Sequence, residues 1–172
     1  MIDIPILETE RLRLRGFTQD DFPVLAEFYA SERSKFVGGP ATQEQSWRML
    51  AGEVGHWELR GYGRWAVEEK STGAFCGVIG LWYPHGWPEP ELGWDLMNGF
   101  EGKGYATEAA LAAREYAYNT LGWKTVISLV APPNNGSRAL AKRMGAEYEG
   151  MFAHERHGDL EIYRHPKPEA LQ

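Results

Sequence analysis

The segment Gly99-Phe100-Glu101-Gly102-Lys103-Gly104-Tyr105-Ala106-Thr107-Glu108 limits what this chain can build more than any other. Before it, Glu91–Met97 reads as a strand; after it, Tyr105–Leu121 reads as a long Ala-rich helix that Gly122 ends. Glycines at 102 and 104 let the backbone turn tightly and approach a ligand with no Cβ in the way. The first amides of the following helix lack partners inside it and stand at its positive dipole end. Strand, glycine turn and helix together make an anion site suited to a phosphate or pyrophosphate. Lys103 either adds charge there or points to solvent. Taken alone, the glycines also serve as a plain strand-to-helix turn. A nucleotide phosphate loop needs Ser or Thr directly after its lysine, and Gly104 stands there. A dinucleotide fingerprint runs Gly-x-Gly-x-x-Gly after the first strand, whereas the order here is Gly-x-x-Gly-x-Gly, late in the chain.

The remaining patterns set this segment in a mixed α/β layer. Leu12 and Leu14 alternate with Arg11, Arg13 and Arg15, the period of a half-buried strand. Thr18–Asp21 offers a helix start with Pro23 in the first turn, and Phe22, Leu25, Phe28 and Tyr29 follow at helical spacing. Thr42 and Gln45 form a capping box for a second helix that Gly61 stops, with Trp47, Leu50, Val54 and Trp57 predicted on its inner face. Strands are predicted around Trp65 and Val67, over Ala74–Tyr83, over Glu91–Met97 and over Lys124–Val130. A short helix spans Ser137–Met144 with Gly145 after it, and two strands, about Ala146–Phe152 and Asp159–Arg164, close the chain. The order predicts a sheet of about seven strands, antiparallel in its N-terminal part, with a strand–helix–strand crossover near the end and about four helices on its faces.

At 172 residues and 43% hydrophobic content the chain fits one domain, residues 1–172, burying roughly 70% of its unfolded surface. The single cysteine, Cys76, excludes an intrachain disulfide and a thiolate zinc site, and makes a reducing, cytoplasmic home the expectation. Eighteen basic against 24 acidic residues give a net charge of −6, which argues against a general nucleic-acid binder. No apolar run approaches the roughly 20 residues that cross a bilayer. Met1–Glu10 is acidic, unlike the cationic start of a secretory signal. His154, His157 and His165 lie close in sequence but on no helix, so no metal is expected there. Cys76 sits mid-strand among Phe75, Val78 and Ile79 and reads as a buried, inert thiol.

Glu91-Leu92-Gly93-Trp94, Gly102-Lys103-Gly104-Tyr105-Ala106-Thr107-Glu108-Ala109, Asn134-Asn135-Gly136-Ser137 and Arg143-Met144-Gly145-Ala146, in that order, resemble the GNAT superfamily of acyl-CoA-dependent N-acetyltransferases. The opening Glu8-Thr9-Glu10-Arg11-Leu12-Arg13-Leu14-Arg15 is similar to the branch typified by the ribosomal-protein N-terminal acetyltransferases RimJ and RimL, and the resemblance spans about residues 8–165. It implies a sheet in which Glu91–Met97 and Lys124–Val130 lie parallel and splay apart around acetyl-CoA. Pantetheine would run along Leu96, Met97 and Asn98. The pyrophosphate would rest on the amides from Glu101 through Gly102, Lys103 and Gly104 to Tyr105, with Ala106 beginning the helix. Asn134 and Ser137 match the family's Asn-x-x-Ser beside the thioester. Arg33, Lys35 and the Arg11–Arg15 stripe are candidates for the adenosine 3′-phosphate, or plain solvated faces. Gly99 stands where the family's glycine motif often begins with Gln or Arg. Ala141 stands where many relatives carry a tyrosine that protonates the leaving thiolate, a role that would pass to Ser137, to water or to nothing.

Direct transfer to a primary amine needs a base and a polarised carbonyl. Glu91 is the candidate base, with a surface carboxylate as the alternative; a backbone amide near Leu96 or Met97 would polarise the carbonyl. Trp82, Tyr83, Trp87 and Trp94 surround the loop Pro84–Pro90, where the family builds its acceptor wall, and imply an aromatic-sided pocket for a peptide N-terminus or a small amine. Many relatives dimerise, so a homodimer is an expectation of the resemblance alone. The rival reading is a CoA-binding or protein-interaction module with a degraded site, which Ala141 keeps open.

Overall fold

The computed structural model describes residues 2–172, so Met1 of the acidic N-terminal stretch lies outside it. The chain opens with β1 (Leu7–Glu8) and β2 (Leu12–Arg15), passes through α1 (Phe22–Ala30) and α2 (Gln43–Arg60), and returns as β3 (Arg64–Glu69), β4 (Phe75–Trp82) and β5 (Glu91–Leu96). Next come α3 (Tyr105–Glu115), a π-helical turn (Tyr116–Thr120), β6 (Ile127–Val130), α4 (Asn135–Arg143), β7 (Glu147–His154) and β8 (Gly158–Arg164). All eight strands join one sheet in the order β1-β2-β3-β4-β5-β6-β8-β7. Every neighbouring pair is antiparallel except β5 and β6. The strand beyond the seven predicted is β1, whose two residues are too few to carry an alternation.

Period-two alternation divides the core between the two faces of the sheet. On one face Leu12, Leu14, Trp65, Val67, Ile79, Leu81 and Leu92 pack with Ala109, Ala110 and Ala113, small residues that bring α3 close to the strands. On the other face Ala66, Val78 and Met97 meet Leu25, Phe28 and Tyr29 of α1 and Leu50 of α2. Trp65 is fully buried; its indole donates to the Pro5 carbonyl at 2.8 Å and meets Trp57 edge-on at 5.0 Å.

α2 begins and ends where its sequence signals stand. The Thr42 hydroxyl accepts from the Gln45 amide at 3.1 Å, the Gln45 side chain accepts from the Thr42 amide at 2.9 Å, and Gly61 closes the helix at φ 77°. Its inner face differs from the predicted one. Leu50 and Trp57 are buried, but Trp47 and Val54 stand 49% and 44% exposed. The helix is rotated because Ser46, Glu53 and His56 find polar partners inside: the Thr42 carbonyl, Arg64 and the Tyr62 carbonyl. α4 starts before the predicted Ser137, because the Asn134 side chain caps it by accepting from the Ser137 amide at 3.2 Å.

Trp65→Ala removes one of the two largest fully buried side chains of this core and should cost about 3–5 kcal/mol, read as a lower urea midpoint with the m-value unchanged.

Candidate active site

β5 and β6 pair in register at one position, Glu91 with Ile127, and then part. The Met97 amide donates to the Cys76 carbonyl at 2.9 Å, so alternation along the β4–β5 ladder turns the backbone groups of Leu92, Trp94 and Leu96 toward the gap. Side chains bridge its closed end. Glu91 Oε2 accepts from the Leu129 amide at 2.9 Å, and Ser128 Oγ donates to the Leu92 carbonyl at 2.6 Å. Behind Ser128 lies a buried chain: His165 Nε2 meets Ser128 Oγ at 2.8 Å, Arg114 donates to His165 Nδ1 at 3.2 Å, and the same Arg114 nitrogen reaches the Met144 carbonyl at 2.7 Å. Burial and Arg114 push His165 down to about 3, which keeps its imidazole neutral.

Two hollows open along this gap. A cavity of about 400 Å³ faces α1 and α2, and a groove of about 290 Å³ runs toward α3 and α4. They meet at Val37, Trp94, Asp95, Asn134 and Ser137. In the cavity, alternation along β5 lines up Glu91, Gly93 and Asp95 on one face. Gly93 leaves the floor open: a Cβ there would lie 3.9 Å from Glu91 Oε1 and 3.8 Å from Arg64 Nη1. Arg64 is clamped by both Glu53 oxygens and reaches Asp95 at 3.2 Å. Burial works against its charge, yet Glu53 and Asp95 hold it protonated well above the usual range. Burial raises Asp95 to about 6 despite Arg64, and raises Glu53 in the same way. Glu91 is 7% exposed and is pushed up to about 7, chiefly by burial, because its two hydrogen bonds come from neutral donors, the Leu129 amide and the Trp87 indole at 2.9 Å.

Trp87 and Trp94 belong to the cavity wall as the sequence suggests. Trp82 also lines it, with His56 stacked on its ring at 4.6 Å and the Arg64 guanidinium at 4.5 Å. Tyr83 does not line it; its ring lies under Arg60, and its amide donates to His56. His154 and His157 close the rim from the β7–β8 turn, with Trp87 packed against both at 5.0 and 5.5 Å. Among the described residues no group of three or more His, Cys, Asp or Glu is placed to hold a metal ion, and no helix is long and apolar enough to cross a membrane. Cys76 is buried, and burial pushes its thiol up to about 12.

On the groove side, Gly102 and Gly104 take φ of 77° and 80°, conformations that L side chains rarely adopt. Gly104 caps α3, and the amides from Gly104 to Thr107 meet no acceptor among the described residues. Leu96, Glu101, Gly102, Ala106, Asn134 and Ser137 line the groove, together with Arg33 and Arg143. Ser137 Oγ accepts from the Trp94 indole at 3.2 Å and so keeps its own proton free to donate. Three expectations change. The Met97 side chain is fully buried and its amide is spent on Cys76, so it cannot polarise a carbonyl in the gap, which leaves the backbone of Trp94 and Leu96. The Lys103 ammonium turns from the groove toward Glu69 at 3.7 Å. Tyr105 is buried and its hydroxyl donates to the same Glu69, so only its amide faces the loop. Asn98 Oδ1 is taken by Arg33 at 2.8 Å, and Ala141 is fully buried against Val130 and Tyr163.

Sequence reasoning missed Arg64, Glu53 and Asp95 in the cavity, and Ser128, His165 and Arg114 behind the gap. The Asp95 signal was present, since Glu91, Gly93 and Asp95 share a strand face in a run bounded by buried neighbours. The His165 chain had none, because its members come from three separate elements.

A family model described as "Acetyltransferase (GNAT) domain" matches residues 11–147. The uncharacterized N-acetyltransferase YoaA of Bacillus subtilis (strain 168) is 29% identical over 154 residues, 86% of each chain. The crystal structure of an acetyltransferase from Agrobacterium tumefaciens superposes with a TM-score of 0.87 at 39% identity, covering 96% of each chain. RimL, a ribosomal L7/L12 alpha-N-protein acetyltransferase solved with coenzyme A, shares the fold with a TM-score of 0.74 at 18% identity, covering 93% of this chain and 97% of its own. With a family model over most of its length and the splayed β5–β6 pair at its centre, the chain belongs to the GNAT family and is an acetyltransferase.

Proposed function

We propose that the protein transfers an acetyl group from acetyl-CoA directly to a primary amine, with the cofactor in the groove and the amine in the 400 Å³ cavity. The meeting of the two hollows at Trp94, Asn134 and Ser137 carries this reading, because donor and acceptor must touch at one point. The groove suits the cofactor at both ends: outward backbone groups of Trp94 and Leu96 would pair with pantetheine as an added strand, and the free amides of Gly104 to Thr107 would take the pyrophosphate. RimL, of the same fold, is solved in complex with coenzyme A, which supports a coenzyme A ligand for this fold.

Acetyl-CoA supplies the acyl group as an activated thioester. The chain's own groups handle the protons. Glu91, at about 7, is poised to take one from the incoming ammonium, directly or through a water, and so supply the neutral amine that attacks. Ser137 Oγ, held by Trp94, has its proton available for the departing sulfur, which answers the loss of tyrosine at Ala141. The buried carboxyls Glu53, Glu91 and Asp95 outnumber the arginines that line the cavity, Arg64 and Arg156, which favours a cationic acceptor. A peptide N-terminus and a small-molecule amine both meet that requirement. The RimJ/RimL-like branch, a single catalytic domain over the whole chain and a cytoplasmic setting complete the reading.

Acetyl-CoA held at about 100 times its dissociation constant should stabilise the protein by about 2.7 kcal/mol in thermal unfolding, while ATP and NAD leave it unmoved. Gly104→Val, strained at φ 80°, should lose most of that shift; a full shift in the variant would count against the pyrophosphate loop. Glu91→Gln should lower kcat about 100-fold and abolish the rise of rate with pH near neutrality. The Glu91 carboxyl is also more basic in the fold than its ordinary 4.5, so the folded state holds the extra proton and stability falls as pH rises from 4.5 to about 7. In denaturant titrations at several pH values, that fall should be shallower in Glu91→Gln by up to about 3 kcal/mol.

A further inference from the structure

The mouth of the groove carries a contact that the transfer reaction does not require. Arg33 leaves the turn after α1 and lays its guanidinium across the end of β5. Nη1 donates to the Leu96 carbonyl at 2.9 Å and to Asn98 Oδ1 at 2.8 Å, while Nε pairs with Glu101 Oε1 at 2.5 Å. Glu101 is the loop's own carboxylate, and its other oxygen accepts from the Gly99 amide at 2.9 Å. An anion therefore already sits between a glycine-loop amide and a guanidinium, the surroundings a phosphate oxygen would seek. The Leu96 carbonyl that Arg33 takes is also one of the outward groups offered to pantetheine.

Other cations close to the loop are committed elsewhere. Lys103 faces Glu69 and the rings of Phe100 and Tyr105. Arg11 pairs with Glu108 and donates to the Lys103 carbonyl. Gly99 brings no side chain of its own. Arg143, at the end of α4, is the other arginine that lines the groove.

Resting on the acetyl-CoA reading above, we propose that Glu101 and Arg33 form a latch on the cofactor groove. In the free protein Glu101 stands in for phosphate on Gly99 and Arg33; when acetyl-CoA enters with its pyrophosphate on the Gly104–Thr107 amides, a pyrophosphate oxygen takes the place of the carboxylate on Arg33, and Arg33 releases Leu96 and becomes a phosphate ligand. The pair is suited to exchange: the Arg33 and Glu101 side chains are 37% and 45% exposed, and ion pairs so exposed are weakly held. A phosphate offers the same guanidinium more charge and a bidentate fit.

Calorimetric titration of wild type, Arg33→Ala and Glu101→Gln with acetyl-CoA and with acetyl-pantetheine, which lacks the pyrophosphate, tests this. The ratio of affinities, acetyl-CoA over acetyl-pantetheine, should fall about tenfold in Arg33→Ala and rise about threefold in Glu101→Gln. Equal weakening of both ligands in Arg33→Ala would make Arg33 a packing residue and overturn the latch, as would an unchanged ratio in both variants, while the acetyl-CoA site itself would stand. Wild type binding neither ligand would remove the cofactor reading and the latch together.

Discussion

Two neighbouring strands that pair once and then separate expose amides and carbonyls in the middle of a sheet, where a folded chain tolerates them only if something else bonds them. Here side chains take that work at the closed end of the gap. Glu91 receives the Leu129 amide and Ser128 holds the Leu92 carbonyl, so the parting of β5 and β6 starts at a fixed place and width. The chain from Ser128 through His165 and Arg114 to the Met144 carbonyl ties that brace to β8, α3 and the end of α4. A neutral His165 is necessary to it, because only an unprotonated Nδ1 can accept from Arg114. Further along, the backbone of Trp94 is left for a ligand that can complete the ladder.

The brace and the proposed chemistry share a residue. Glu91 closes the gap through one oxygen and faces the cavity proposed for the acceptor, beside Gly93, with the other, where the Trp87 indole fixes it. Its burial without a cationic partner both costs stability at neutral pH and lifts its proton affinity into the range a general base needs. Asp95 and Glu53, equally buried, are instead neutralised in part by Arg64. Carboxylates in one cavity thus have different duties because of what donates to them, cationic in one case and neutral in the other.

Much of the fold was legible because its signals are local. The Thr42–Gln45 box and Gly61 bound α2, alternation located β3 to β5, and Gly102 and Gly104 marked the turn into α3. Three kinds of feature were not. The two residues of β1 carry no period. The inward face of α2 holds Ser46, Glu53 and His56, so a rule that looks for apolar stripes turns the helix the wrong way and places Trp47 and Val54 inside. Contacts between distant segments, such as Arg33 with Leu96 or Arg114 with His165, exist only once the sheet has formed. Motif order named the glycine loop, Glu91, Asn134 and Ser137 as candidates, and Glu91, Gly102, Asn134 and Ser137 line the two hollows, whereas Lys103 and Tyr105 turn to Glu69, a partner on β3 that no motif records.

A crystal structure of the protein with coenzyme A tests the account most directly. The pantetheine is expected between β5 and β6, bonded to the backbone of Trp94 and Leu96, its sulfur beside Ser137 and its pyrophosphate on the amides of Gly104 to Thr107. Coenzyme A bound outside the gap, or a gap closed by backbone pairing of β5 with β6, would contradict it.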